Sequence, residues 1–246
     1  MVGRMALDFF KDLLAGQNPR MASGYPSGSS EMWESIPNRA SVMENAMLEA
    51  IPSEEEILEA MQRLDPESSP GPDGFPGSFY RGSWEVVKAD VIGAIQDFFK
   101  GGHLPRVACA TKICLIPKVK DPSSLSHYRP VSLCNFPYKI LAGLINHILA
   151  ERLPTWISPE QHGFVKGRSI QGAIALAQDM VRDITYKTHG SNIALKVDMN
   201  KVYDRIEWGF LNRALSATGF SVKVVDMFFR CVGSSWLGIS FMGKTH

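Results

Sequence analysis

The side chain best placed for chemistry in this sequence is an aspartate that follows an alternating run. Ile193, Leu195 and Val197 alternate with polar or small residues, and Asp198 comes directly after them. Strict alternation predicts a strand with one buried and one exposed face, so Asp198 is expected to leave the strand on its wet side. A carboxylate there can bind a hard divalent cation, although a lone aspartate at a strand end more commonly serves a turn.

Two short apolar runs with basic neighbours lie in the middle of the chain. Residues 112–118 (KICLIPK) form the first and residues 128–133 form the second, and the polar loop 119–127 joins them. This arrangement predicts a pair of strands connected as a hairpin. Lys118, at the mouth of the hairpin, would face either a ligand or only solvent, and the sequence leaves both possibilities open.

Charge is unevenly divided along the 246 residues, although the formal net charge is only +1. Residues 1–100 hold 8 basic and 16 acidic side chains, and residues 101–246 hold 18 basic and 9 acidic ones, giving net charges of −8 and +9. The second part is therefore a candidate surface for nucleic acid. The alternative is a set of solvated helix faces whose charges average out in space.

Amphipathic helices must position these residues. Ser53 and Glu56 form a capping box at the start of one helix, and Trp84 begins the apolar stripe of another that ends at residues 101–102. Two further helices, each expected to pack a core on one face, are predicted at about 138–153 and 169–188. Helical stretches at about 205–217 and 221–232 and a last strand at 236–242 follow. A helix-rich fold with a small sheet is the result.

Two segments lack the regular spacing of apolar residues that indicates a helix or a strand. Residues 15–40 are rich in Gly, Pro, Ser and Asn, which predicts a loop or a loosely held extension. Residues 68–74 (SSPGPDG) hold two prolines, two glycines and an aspartate, which predicts a run of turns.

Several classes of protein are disfavoured by the composition. Residues 1–14 carry four charges, and no later apolar run approaches the roughly 18 residues of a membrane span, so neither secretion nor membrane insertion is expected. The four cysteines include no C-x-x-C pair. Reduced thiols are therefore expected, without metal binding through cysteine.

Five ordered blocks carry a resemblance to a known family. They are SPGPDGF (69–75), LIPK (115–118), YRPVSLCN (128–135), QHGFVKGRSI (161–170) and LKVDMNKVYDRIEW (195–208). In order and spacing they resemble the reverse transcriptases of plant non-LTR (LINE-type) retrotransposons. Such enzymes extend a DNA primer on an RNA template from deoxynucleotide triphosphates, a reaction in which positioning and charge neutralisation supply most of the catalysis.

The resemblance assigns a catalytic role to one residue of the last block and a nucleotide-binding role to another. Asp198 is implied to be a catalytic metal ligand that helps to bind two Mg²⁺ ions, together with a later aspartate pair. Tyr203 is implied to be the steric gate, whose ring excludes a 2′-hydroxyl from the nucleotide site. The alternative for Tyr203 is an ordinary amphipathic core tyrosine.

Basic residues of the earlier blocks are implied to contact phosphates. Arg129 and Lys118 correspond to the pair that contacts the incoming triphosphate, and Lys120 is a further candidate for that role. Lys166 and Arg168 are candidates for contact with the template backbone.

The resemblance also implies a fold class and a division of the chain. The fold expected is α+β, a partial right-hand polymerase with fingers and the first part of the palm, helix-rich with a small incomplete antiparallel sheet. Residues 1–50 would form an N-terminal helix and loop extension, residues 51–190 the fingers and connecting helices, and residues 191–246 a partial palm with Asp198. By analogy, the protein is expected in the nucleus.

The family pattern is incomplete in this sequence. No Asp-Asp pair occurs, and the Gln171-Gly172 pair precedes Asp198 instead of following it. Ser68 and Val202 stand where relatives commonly carry lysine and alanine. The expectation is a fragment truncated before the glycine-rich block and the Asp-Asp hairpin, and inactive alone, because one carboxylate cannot hold two divalent cations.

Two other functions remain open at this stage. The basic second part would suit a non-catalytic module that binds RNA or DNA. A non-functional translated remnant is the third possibility, because an unfinished sheet exposes an unpaired edge.

Overall fold

The computed structural model describes most of the chain, with gaps near both ends and around the last sequence block. The described residues are 8, 30–36, 39–184, 186, 192–195, 206–234, 236–241 and 244–245. Over these residues the protein is helix-rich with one small sheet, which confirms the predicted α+β class.

Three helices open the described part. α1 spans Ser30–Glu34, α2 spans Val42–Glu49 and α3 spans Glu54–Arg63. A capping box starts both α2 and α3: the N-cap serine accepts a hydrogen bond from a backbone N–H three residues on, and the glutamate there accepts one from the serine N–H. The box that starts α3 is the predicted one.

A turn segment and two further helices follow. Residues 64–76 contain turns and no helix or strand, as the proline and glycine pattern predicts. α4 spans Gly77–Gly82, and α5 spans Trp84–Phe99, close to the predicted bounds.

The predicted hairpin is present. β1 spans Ala110–Pro117 and pairs antiparallel with β2, Tyr128–Cys134. A 3-10 turn at Leu125–His127 lies in the connecting loop.

Two long helices follow the hairpin. α6 spans Phe136–Trp156 and buries one side in the core, whereas α7 spans Ile170–Asp183 with Ser169 as its N-cap. The apolar side chains Ile170, Ile174 and Met180 of α7 are 68%, 51% and 67% exposed. The expectation that α7 packs a core on one face is therefore wrong for the described residues, because an amphipathic stripe needs a neighbouring element to cover it.

The last elements return the chain to the sheet. α8 spans Trp208–Ala217, α9 spans Val222–Gly233, β3 spans Trp236–Phe241 and β4 spans Lys244–Thr245. The described strands form one sheet in the order β2-β1-β3-β4. β1 pairs parallel with β3, so the sheet is mixed and not wholly antiparallel as expected. Helices lie between β1 and β3 in the chain, and such a crossover brings strands together in parallel.

One hydrophobic core joins the helices α2 to α6 and α9. Its fully buried members include Leu48, Ile57, Ile95, Phe98, Phe136, Ile140, Leu141 and Val224. Each such side chain contributes about 1.5–3 kcal/mol relative to leaving it in water.

A buried arginine ties α9 to the end of α5. Arg230 donates to the carbonyl oxygens of Phe98 (2.7 Å) and Gly102 (2.6 Å), and its Nε bonds Asp226 at 2.6 Å. Its guanidinium also lies over the Phe98 ring, 4.5 Å from the centroid. The last carbonyls of a helix have no partner within the helix, and here a side chain supplies one.

Two sequence expectations need correction. Residues 192–195 form neither strand nor helix, and Ile193 and Leu195 are 84% and 83% exposed. The described sheet has the order β2-β1-β3-β4, and residues 192–195 are not part of it. Part of the predicted loop 15–40 is helical and forms α1. The Trp33 ring of α1 packs 5.4 Å from that of Phe210, a contact between distant parts of the chain that local pattern does not show.

Candidate nucleic-acid interface

The hairpin brings the two predicted phosphate-binding residues to one face. Ile116 lies opposite Arg129, and one step further the Lys118 N–H donates to the His127 carbonyl at 2.7 Å. Lys118 follows the last residue of β1, and its hydrogen bond continues the ladder by one pair, so strand alternation puts it on the face of Ile116 and Arg129. Diagonal neighbours of this kind have Cα atoms about 7–8 Å apart, close enough for both cations to contact one polyphosphate.

Both cations are exposed. The Lys118 Nζ makes only a long 3.4 Å hydrogen bond, to the Ser126 carbonyl. Within the described part of the chain, neither Lys118 nor Arg129 takes part in an ion pair. Their donors therefore remain open to solvent or to a ligand.

Other charges of the hairpin reinforce this face. Lys112, half-buried, lies on the same face of β1, and Lys120 is exposed in the connecting loop. Asp121 is the one carboxylate residue in the sequence from 110 to 134. A surface with this balance attracts anions.

The loop between α6 and α7 carries Lys166 and Arg168, and these two residues have different surroundings. Lys166 is exposed. Arg168 donates to four backbone carbonyls, those of Pro154, Ile157, Ser158 and Gln161, at 2.5–3.0 Å. A guanidinium has five N–H groups, and those of Arg168 already donate to these four acceptors. Arg168 thereby holds the loop to the end of α6, and its contact with a template stays a prediction.

Sequence reasoning missed one residue of this loop. Phe164 is 94% exposed, and its φ of 62° is in the left-handed region. The only signal in the sequence is its place between two glycines, Gly163 and Gly167. The charges of this block, and not its aromatic ring, led to the predictions for Lys166 and Arg168.

The turn segment 68–74 is fitted closely to the start of α6. Asn135, the buried N-cap residue of α6, accepts a hydrogen bond from the Asp73 N–H and donates to the Val107 carbonyl at 2.7 Å. Lys139 donates to Ser68 Oγ and to the Ser69 carbonyl. The turns therefore support the element that follows β2, and this accords with their predicted architectural role.

Asp198 and Tyr203 lie outside the described residues, so their roles stay predictions. Within the described ranges, no group of three or more His, Cys, Asp or Glu side chains could hold a metal ion. These residues do not by themselves fit a two-cation site. Searched over the same part of the chain, no helix is long and apolar enough to cross a membrane.

Comparison with known proteins gives consistent matches. Residues 116–243 match the family described as reverse transcriptase (RNA-dependent DNA polymerase). Two relatives come from transposable elements. The Transposon TX1 uncharacterized 149 kDa protein of Xenopus laevis is 30% identical over 200 residues, which cover 81% of this chain and 15% of that protein. The Retrovirus-related Pol polyprotein from type-1 retrotransposable element R1 of Bradysia coprophila is 24% identical over 157 residues, covering 63% of this chain and 15% of that protein.

These matches bear on the site in one respect. All six predicted site residues, Lys118, Arg129, Lys166, Arg168, Asp198 and Tyr203, lie inside the range matched to the family. The chain spans about 15% of the length of each of the two relatives.

Proposed function

Because the chain belongs to the reverse transcriptase family, we propose that it forms the nucleotide-contacting and template-contacting part of an RNA-directed DNA polymerase of a non-LTR retrotransposon. The observation that carries the proposal is the β1–β2 hairpin, which presents Lys118 and Arg129 on one exposed face. Substrates of the proposed reaction are an RNA template, a DNA primer and deoxynucleotide triphosphates. Its proposed place of action is the nucleus.

The hairpin residues would act by positioning a highly charged substrate. The planar Arg129 guanidinium can hold two phosphate oxygens at once, and the Lys118 ammonium adds a second, more flexible cation. Together they would hold the triphosphate in line with the primer hydroxyl. Phosphoryl transfer depends mainly on such positioning and charge stabilisation.

The roles of Asp198 and Tyr203 are part of the same proposal. Asp198 would hold Mg²⁺, which neutralises charge on the reacting phosphate, and Tyr203 would exclude ribonucleotides. The 246 residues contain no consecutive aspartate pair. We therefore expect no polymerisation by these residues alone, and activity only when the missing carboxylates are supplied.

Binding measurements test the hairpin. We expect Lys118→Ala with Arg129→Ala to weaken binding of a deoxynucleotide triphosphate, because both cations are proposed to contact its phosphates. The slope of log affinity against log salt should also become shallower, because two charge contacts that salt screens are lost. Removal of Mg²⁺ with EDTA should leave the difference between variant and wild type in place, because that difference comes from the two side chains.

The matched control is Arg63→Ala with Lys88→Ala. These are surface cations of the acidic first part, paired with Glu59 and Glu85. The control should keep wild-type affinity and slope. Equal affinity of the hairpin variant and the wild type would contradict the phosphate-binding role.

A second candidate function is a non-catalytic module that binds RNA or DNA. The net charge of +9 over residues 101–246 favours it. Primer extension with Mg²⁺ separates the two, using this chain beside a version continued to a complete palm. Extension by the continued version alone supports the polymerase proposal, whereas extension by this chain alone contradicts the stated need for further carboxylates. Aggregation in sedimentation and rapid proteolysis would instead favour the translated remnant.

A further inference from the structure

The Phe164 ring in the loop between α6 and α7 stands almost wholly in solvent. It is 94% exposed, more than any other large hydrophobic side chain in the described part of the chain. Single exposed apolar residues are common on protein surfaces, so exposure by itself indicates little. The backbone of this residue supplies an independent observation.

Phe164 is held in a conformation that side chains seldom adopt. Its φ is 62°, and it is the one non-glycine residue with positive φ in the described ranges. This conformation is unfavourable for an L-residue with a bulky side chain, because its Cβ comes too close to the following carbonyl oxygen. Such residues persist when the surroundings force them, and they cluster at sites of function.

The surroundings of Phe164 are well fixed. The next residue, Val165, is buried, and Arg168 donates to four carbonyls of the α6 end and the loop. The His162 ring packs against Gly172 of α7, where an added Cβ would lie 3.0 Å from His162 Nε2. The loop is therefore fixed on both sides of Phe164 and presents the ring outward.

A cation lies next to the ring. Lys166 is exposed two residues further on, and Cα atoms so spaced lie at most about 7 Å apart. A flat aromatic surface beside a flexible ammonium suits single-stranded nucleic acid, in which unpaired bases stack on aromatic rings and cations contact the backbone. A protein partner would instead be expected on the broad apolar stripe of α7.

We propose that Phe164 stacks on an unpaired base of a single-stranded nucleic acid, with Lys166 on an adjacent phosphate. This inference rests on the proposed function, since it gives the template-contacting part a base-stacking site separate from the hairpin. Arg168 is a positioning residue in this scheme, because it holds the loop and leaves phosphate contact to Lys166.

Titration of a labelled single-stranded RNA at several salt concentrations tests the proposal. Stacking on one aromatic side chain typically amounts to about 5- to 150-fold in affinity, so Phe164→Ala should lose that factor with no change in salt slope. Lys166→Ala should lower the slope by about 0.7, the value for one contact to a single strand. Phe164→Tyr should bind as the wild type does, and Phe164→Leu should bind as Phe164→Ala does.

A spectroscopic signal reports the stacking directly. An oligonucleotide with a fluorescent base analogue should lose emission when the wild type binds, and lose less with Phe164→Ala at saturation. Phe75→Ala, which removes a partly exposed aromatic ring of the acidic first part, is the control and should change neither signal nor affinity.

Three outcomes would overturn the proposal. Wild-type affinity of Phe164→Ala, with weakened binding by the hairpin variants, would overturn it and leave the proposed function standing. Full affinity of Phe164→Leu, or a change in self-association and not in RNA binding, would mean that the ring serves an apolar protein contact. Absence of RNA binding by the wild type at low salt would overturn both this proposal and the proposed function.

Discussion

Residues of the same type have different roles in this chain, and their neighbours decide which. Arg129 extends from an exposed strand face, whereas Arg168 donates to four carbonyls and Arg230 is buried against two more. A guanidinium whose N–H groups already have acceptors has little left for a phosphate. The exposed cations Arg129, Lys118 and Lys166 are thus the better candidates for contact with substrate.

Tyr80 gives a prediction at this scale. Burial, followed by the charge and hydrogen bond of Asp73, raises the pKa of Tyr80 to about 12. An unfolded tyrosine ionises near about pH 10. The stability contributed by this group is therefore fully present below pH 10, and it is lost as pH rises from about 10 towards 12.

The Tyr80→Phe variant isolates this contribution. Denaturant midpoints of wild type and variant should fall with different slopes above about pH 10, the wild type losing more. The measurement is chemical unfolding of both proteins at pH 9 and at pH 11.5. Parallel losses would show that Tyr80 ionises equally in the folded and unfolded chain.

At the scale of elements, the hairpin and the turn segment are built from local patterns but positioned by distant contacts. The two apolar runs predict β1 and β2, and their register, continued by the hydrogen bond from Lys118 to His127, places Lys118 and Arg129 on one face. Turn residues 68–74 are equally evident in the sequence. Their packing on Asn135 is not, because it joins residues about sixty positions apart.

Gly71 tests that packing. A Cβ there would lie 2.1 Å from Asn135 Oδ1 and 2.4 Å from its backbone N. Gly71→Ala is expected to cost about 1–3 kcal/mol in the free energy of unfolding, the usual effect of overpacking. Gly93→Ala, in α5 with nothing within 4 Å of the added Cβ, should instead stabilise by about 0.5–1 kcal/mol. Thermal melts of the two variants measure both effects, and equal melting temperatures would contradict the close fit.

At the scale of the whole molecule, a continuous core joins helices from both ends of the described chain. Leu48 of α2 and Val224 of α9 belong to the same buried cluster. Asn45 adds polar contacts between these ends, since it donates to the Gly219 carbonyl and accepts from the Ser221 N–H. The boundaries predicted at residues 50 and 190 stay predictions, but α2, α3 and α9, one helix from each predicted part, share one core.

Arg230 tests how strongly the ends are joined. Arg230→Ala removes a charged donor from the carbonyls of Phe98 and Gly102, and a hydrogen bond to a charged group contributes about 1.5–3 kcal/mol. We expect a loss of about 2–4 kcal/mol in the free energy of unfolding. Arg63→Ala breaks a surface pair of the same i,i+4 spacing and should cost about 0.5 kcal/mol or less. Urea unfolding compares the two, and similar losses would refute the special role of Arg230.

The sequence alone determined the family and most local structure of this protein. Capping boxes, helical stripes, the β1–β2 hairpin and the ordered blocks depend on residues close together in the chain, so they are visible without coordinates. The Ser41–Glu44 capping box of α2 had the same signature and could have been found.

Only the tertiary structure decided how these pieces meet. It made the sheet mixed, left residues 192–195 out of it, exposed the stripe of α7, and directed Arg168 inward and Phe164 outward. Each outcome depends on whether a partner from a distant part of the chain satisfies a strand edge, an apolar face or a donor. The local pattern shows which hydrogen-bonding groups and apolar faces a segment has. Only the assembled fold determines which of them find a partner.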